Sequence, residues 1–335
     1  MNIQEEITDI QVFSQFYILR DGYEFKPLTF PANVYDALVI KSPPEATCVY
    51  PQIVHTGQSL SEQIDFVNRY KIEKAIVVTD NISFITKCPT LKYIDVIPMN
   101  GSGNGFDFSP LYNMPEIKSL CCRTRYGIRE EFSSQVDYSQ IRGLEKISIS
   151  DKGHKNYNKI ETLKTLGISD FNEADLTQLF VSKVLDTLCM IQCKTKTLNG
   201  IQQSEKMQCL YLHYNRSLQD ISALKEIKGT LRALRIENCP AIDDFSVLGE
   251  LENLELLELS GSNELPDLGF LKRMKNLKTF ILNMNVNDGD LSPCLDLSYA
   301  CSLKNRKHYN LKNAELPKGI YVRGNESIER WRRLE

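Results

Sequence analysis

An α/β solenoid is the fold class this sequence predicts: a curved parallel sheet on the concave face, short helices, 3-10 turns and loops on the convex face, and caps at both ends. Two patterns that recur in phase carry the prediction. In the first, Met207, Leu210, Leu212 and Asn215 are followed by Leu231, Leu234, Ile236 and Cys239, then Leu254, Leu257, Leu259 and Ser262, then Leu277, Phe280, Leu282 and Asn285. Successive starts lie 24, 23 and 23 residues apart (207 to 231, 254 and 277). In the second, an Asp leads an apolar residue, a Ser, Thr or Gly, any residue and another apolar residue. Six stretches fit, beginning at Asp107, Asp137, Asp175, Asp220, Asp244 and Asp267. Five of those six precede the next coil's first apolar anchor by 10 or 11 residues (107 to 117, 175 to 185, 220 to 231, 244 to 254, 267 to 277).

Each pattern has a physical task. In LxxLxLxxN the apolar side chains alternate as on a short strand, so they turn inward while the residues between them face out. The terminal Asn, Cys or Ser suits a turn, where a side chain can satisfy backbone groups that leave the ladder. Asp and Ser then cap a short helical or 3-10 return segment, and Leu224, Leu248 and Leu271 are expected to bury against the next coil. A period in this range with this strand motif is the leucine-rich repeat.

Taken in order, residues 1 to 70 form an N-terminal cap region. Residues 13 to 40 alternate apolar and polar around turn signals at Asp21-Gly22 and Pro31, which predicts short strands, and Ser59-Leu-Ser-Glu62 is a capping box that opens an amphipathic helix running to about Tyr70. Residues 71 to 285 are the array. Its earlier anchors are Ile72, Ala75 and Val77; Leu91, Ile94 and Val96; Ile117, Leu120 and Cys122; Leu144, Ile147 and Ile149; Leu163, Leu166 and Ile168; and Leu185, Leu188, Met190 and Cys193. Their uneven spacing predicts loop insertions, with 101 to 105 and 123 to 134 as the candidates. Residues 286 to 335 hold a degenerate coil opened by Asp290-Leu-Ser292 and a C-terminal cap, with an edge strand expected over 315 to 323 and a short helix carrying Trp331 over 327 to 334.

The coils over about 198 to 285, with phrases such as Leu218-Gln-Asp-Ile-Ser-Ala-Leu224 and Leu251-Glu-Asn-Leu-Glu-Leu-Leu-Glu-Leu-Ser-Gly261, resemble the short leucine-rich repeats of bacterial internalin-like proteins. The resemblance implies a curved solenoid that recognises another protein with its concave strands, with no cofactor and no catalysis. Several Asn positions are replaced here. The secretion signal and cell-wall anchor of surface internalins are not seen in this sequence.

Composition narrows the function classes. The chain has 335 residues, with 40 Lys and Arg against 43 Asp and Glu, a formal net charge of -3. That balance gives no overall drive toward nucleic acid or an anionic membrane. No apolar run approaches the roughly 18 residues that span a bilayer, and the opening Met-Asn-Ile-Gln-Glu-Glu lacks the basic and apolar regions of a leader. The ten cysteines have no framework spacing, and Cys193 and Cys239 take the Asn slot of the motif, which predicts a reducing, cytoplasmic setting. The histidines, His55, His154, His213 and His308, have no metal-ligand spacing, and 101 to 105 lacks the Lys and helix of a phosphate loop. Cys209 and His213 share the outer face but are read as unrelated surface residues. The tail cations Lys304, Arg306, Lys307, Arg330, Arg332 and Arg333 are read as a solvated cap face.

Function is therefore expected between the leucines. The concave face from about Tyr93 to Met284 is the expected recognition surface, and Tyr211, His213, Tyr214, Arg232, Arg235, Glu237 and Glu258 are its candidate partner-binding residues, expected to stand outward on adjacent strands. Tyr and Arg combine large contact area with hydrogen bonding, which is why they anchor interfaces. The expectation is a non-enzymatic module that binds a protein partner, with no catalytic residues, metal, cofactor, small-molecule substrate, nucleic acid or membrane. A regulatory or inhibitory subunit that occludes an enzyme or toxin active site is the alternative.

Overall fold

The computed structural model describes residues 17–20, 24–27, 37–42, 58–98, 105–122, 136–150, 154–179 and 182–322. The expected loops at 101 to 105 and 123 to 134 lie outside these residues except for Gly105, as do the turns at Asp21-Gly22 and Pro31 and the helix carrying Trp331. The described chain falls into two compact units that divide between Ile160 and Glu161.

In the first unit, β1 (Tyr17–Arg20) pairs antiparallel with β2 (Glu24–Pro27) and with β3 (Ala37–Ser42). From β3 onward the pairing is parallel, through β4 (Lys74–Thr79), β5 (Tyr93–Ile97), β6 (Ser119–Cys122) and β8 (Lys146–Ser150). Between β3 and β4 runs the helix α1 (Leu60–Arg69). Ser59 and Glu62 form its capping box, and Phe66 and Val67 bury its apolar side. Gln63 fastens the helix to β3: its Oε1 accepts from Lys41 N–H at 2.8 Å and its Nε2 donates to Lys41 C=O at 2.9 Å. A short pair, β7 (Val136–Asp137) with β9 (His154–Lys155), lies apart from the main sheet.

The second unit is a stack of parallel strands: β10 (Thr165–Ser169), β11 (Thr187–Ile191), β12 (Cys209–His213), β13 (Ala233–Glu237), β14 (Leu256–Leu265), β15 (Thr279–Val286) and β16 (Tyr299–Ser302). Their register aligns the repeat anchors in rows, as in Leu188, Leu210, Leu234, Leu257 and Phe280, all buried. Burying one such side chain contributes about 1.5–3 kcal/mol. Leu224, Leu248 and Leu271 on the return segments are buried as expected. Parallel pairing runs past both ends of 71 to 285, with β3 before it and β16 after it. Fold class and repeat anchors are therefore those of a leucine-rich repeat solenoid.

The Asp motif closes each return turn. Asp107, Asp137, Asp175, Asp220, Asp244, Asp267 and Asp290 each accept from the backbone N–H two residues on, at 2.5 to 3.0 Å. Asn81 does the same for Ser83, a further member that the Asp pattern passes over. Hydrogen bonds from the Ser or Thr two residues on hold the carboxyls of Asp137, Asp175, Asp220, Asp244 and Asp290 below the ordinary aspartate range. Where two neighbouring coils approach closely, Gly200 has φ +98°, and a Cβ there would lie 2.5 Å from the backbone nitrogen of Thr177.

The Asn slot couples coils. Buried Asn215 accepts from Cys193 N–H at 2.8 Å and donates to Met190 C=O at 3.1 Å. Cys193 and Cys239 present their thiols to carbonyls of their own and the preceding coil. Burial pushes the Cys239 thiol up to about 11, which keeps its proton on sulfur to donate. In the next coil the slot is filled by Asn263 and not by Ser262. Asn263 is buried and donates to Cys239 C=O at 3.1 Å and Ile242 C=O at 2.7 Å, while Ser262 is exposed. The register of β14 against β15 shifts between Ser260 and Glu264, where β14 carries two more residues than its partner, and that irregularity moves the slot by one position.

Candidate functional site

Five of the seven candidate residues come together on the outer face of the second unit's sheet, the face opposite the packed leucines. Register places Tyr211, Arg235 and Glu258 directly opposite one another on β12, β13 and β14, and His213 opposite Glu237 one step further along. Arg235 Nη1 lies 2.9 Å from Glu258 Oε2, and its guanidinium stands 5.5 Å from the centre of the Tyr211 ring. His213 Nδ1 is 3.0 Å from Glu237 Oε2.

The other two candidates sit at the sheet's ends. Tyr214 follows β12 and Arg232 precedes β13, so the two lie at opposite ends of their strands. Arg232 and Glu237, five residues apart on one strand, are separated by roughly 17 Å at about 3.3 Å per residue. Arg232 is held by a bond from Nη1 to Asn253 C=O at 3.0 Å. Tyr214 is half-buried with φ 54°, one of a series of left-handed residues that close the strands at Asp170, Gln192, Tyr214 and Asn238. The N–H of each bonds a carbonyl of the next strand, as Tyr214 does to Glu237 and Asn238 to Ser260. Coil geometry thus accounts for the unusual backbone of a Tyr.

Exposure is where the sequence expectation needs correction. Tyr211 is 0% exposed, His213 3%, Arg235 4% and Glu258 6%, so these four are packed and not solvated. Alternation along a strand assigns a residue to a face but does not say whether that face meets water. Here Ala233, Leu256 and Thr279 beside them are buried too, and Tyr321 lies over the face with its hydroxyl 3.4 Å from Arg235 Nη2. Sequence reasoning missed Tyr321, which stands 86 positions from Arg235. Only its place in an apolar run, Gly319-Ile-Tyr-Val322, could have marked it. Glu237 and Arg232 are partly exposed. His213 Nε2 is buried with no hydrogen-bond partner among the described residues.

Among the described residues no three His, Cys, Asp or Glu side chains are placed to hold a metal, and no helix is long and apolar enough to cross a membrane. Arg235 and Glu258 form a buried ion pair. What the face presents is aromatic surface, a fixed cation and anion, and an imidazole Nε2 without a hydrogen-bond partner among the described residues.

The coil, its anchors and its Asp turns define a leucine-rich repeat protein. No family model matches the sequence, and no curated relative matches it. Among solved structures, the chain is similar to an internalin, inlF, from Listeria monocytogenes, at 16% identity and a TM-score of 0.43, covering 74% of this chain and 84% of that one. It is likewise similar to the functional domain of InlJ from Listeria monocytogenes, which includes a cysteine ladder, at 16% identity and a TM-score of 0.44, covering 67% of this chain and 51% of that one. A third is TLR13 in its complex with ssRNA13, at 15% identity and a TM-score of 0.43, covering 73% of this chain and 45% of that one.

Proposed function

We propose that this chain is a non-enzymatic protein-binding module acting inside the cell, and that it receives a protein partner on the outer face of β12 to β14 and its rim. One observation supports this most: charged and aromatic side chains, Tyr211, Arg235, Glu258, His213 and Glu237, converge in two registered rows on adjacent strands, where packing alone would be served by apolar residues. Buried ion pairs are a costly way to stabilise a fold, so their presence on a sheet face is better explained by recognition. The unsatisfied Nε2 of His213 adds a group that a partner acceptor or donor would complete. Tyr214 and Glu237, both partly exposed at the strand ends, are the approach to this face, and Arg232 a second approach from the other end. Nine free cysteines among the described residues, seven of them buried, support a reducing setting.

Affinity capture from the native cell extract tests the reading. Tyr214→Ala and Glu237→Ala, both at partly exposed positions, are expected to lose a partner that the unaltered chain retains, with Arg232→Ala reporting on the opposite rim. Retention of every captured protein by all three variants would remove the face from consideration.

A further inference from the structure

The outer face of the second unit is already occupied by a piece of the same chain. After the buried Leu316, residues 317 to 322 leave the edge strand β16 and travel inward across the sheet. Ala300 N–H donates to Pro317 C=O at 2.9 Å, Lys318 pairs with Tyr299 in a single antiparallel bridge, and Gly319 N–H donates to Ser298 C=O at 2.9 Å. The expected edge strand is thus reduced to one bridge. Val322 N–H then reaches Thr279 Oγ1 on β15 at 2.9 Å, and Tyr321 extends two strands further to Arg235, its ring packed edge-on against Tyr299 at 5.2 Å.

Two features mark this segment as a strap and not as part of the sheet. It makes no continuous ladder, and Ile320 at its middle is 77% exposed, so little apolar burial holds it down. The Tyr321 hydroxyl reaches Arg235 Nη2 at 3.4 Å, a distance longer than most bonds of that kind. Segments with few buried contacts open locally at low cost while the core stays closed.

We propose that residues 317 to 322 act as an internal ligand: they occupy the site where a partner's extended, tyrosine-bearing segment binds, and the protein holds its own recognition face closed until that segment displaces them. The inference rests on the partner-binding reading above and adds the partner's chemistry and the barrier to its entry. An aromatic ring delivers its hydroxyl to Arg235, and the backbone N–H that follows it meets Thr279.

Hydrogen exchange on the full chain tests this without any partner, so its outcome is separate from that of the capture experiment. Tyr321→Ala is expected to speed exchange of residues 317 to 322 and of the Ala300 amide by roughly tenfold, the worth of about one charge-assisted hydrogen bond, while β12 to β14 keep their protection. Val322→Pro, which deletes the donor to Thr279, is expected to do the same by an independent route. Adding the peptide Leu-Pro-Lys-Gly-Ile-Tyr-Val at several millimolar, about the effective concentration of a short tether, should restore slow exchange at Ala300 in both variants. The same peptide with Ala for Tyr should not. Exchange that rises across β12 to β14 together with the strap would make the segment a plain part of the fold and overturn the proposal. So would protection unchanged in both variants, or a failure of the Tyr peptide to restore it.

Discussion

Glu258 and Arg235 meet at 2.9 Å on a sheet face where their side chains are 8% and 5% exposed. A pair this far from water gains strongly from its own attraction, but each partner alone would be a stranded charge. Arg235→Ala is therefore expected to lower the unfolding free energy by about 3–5 kcal/mol, and Arg235→Met with Glu258→Leu to recover most of it. Urea denaturation of the three variants measures both. A double variant no more stable than Arg235→Ala would show that Tyr211 and Tyr321, and not the ion pair, set the energetics here.

What the sequence made legible divides along physical lines. Leucine anchors and Asp turns are local: each acts within one coil, so a period read along the chain finds them, and Leu257 or Asp244 sits where its pattern requires. Assignment of Tyr211, Arg235 and Glu258 to one face followed from alternation for the same reason. Their burial did not, because the side chain that covers Arg235 comes from residue 321. Counting along the repeat puts Ser262 in the Asn slot, and the irregular register of β14 against β15 hands that slot to Asn263. Counting cannot see a bulge.

The Asn slot gives the second prediction. Asn215→Ala leaves the Cys193 amide and the Met190 carbonyl without their side-chain partner in a buried coil joint, and is expected to cost about 1–3 kcal/mol. Asn263→Ala should cost a similar amount, while Ser262→Ala, at an exposed position, should stay within about 0.5 kcal/mol. Thermal or denaturant melts of the three decide. If Ser262→Ala proves the more damaging of the last two, the slot has been assigned to the wrong residue.

A third prediction concerns pH. Burial lowers the His154 imidazole from an ordinary 6.5 to about 4, so the folded chain keeps it neutral while the unfolded chain takes up a proton. Stability present above pH 6.5 is then lost as pH falls from 6.5 toward 4, by up to roughly 3 kcal/mol. The Asp turns act lower, since their carboxyls lie below the usual 3.8 when folded, and the two windows are distinct. His154→Phe keeps a ring against Tyr138, now 5.4 Å away, and should flatten stability between pH 6.5 and 4. An unchanged slope in that variant would assign the loss to another group.

The two kinds of side-chain turn in this fold differ in whom they serve. An Asp carboxylate closing on a residue two positions along needs nothing from its neighbours, whereas Asn215 and Asn263 each reach into the coil before their own. Rigidity in the second unit is therefore stored at joints and not within the coils, and the joints are unequal: amide groups at Asn215 and Asn263 grip firmly, whereas Cys239, with a thiol 3.7 Å from the Leu212 carbonyl, is a softer link. That softer link lies one strand from Tyr211 and at the end of the strand bearing Arg235. Cys193 makes the same kind of link to the Ile168 carbonyl at 3.7 Å, so thiol and amide joints alternate from coil to coil, and the proposed recognition rows lie between an amide joint at Asn215 and a thiol joint at Cys239.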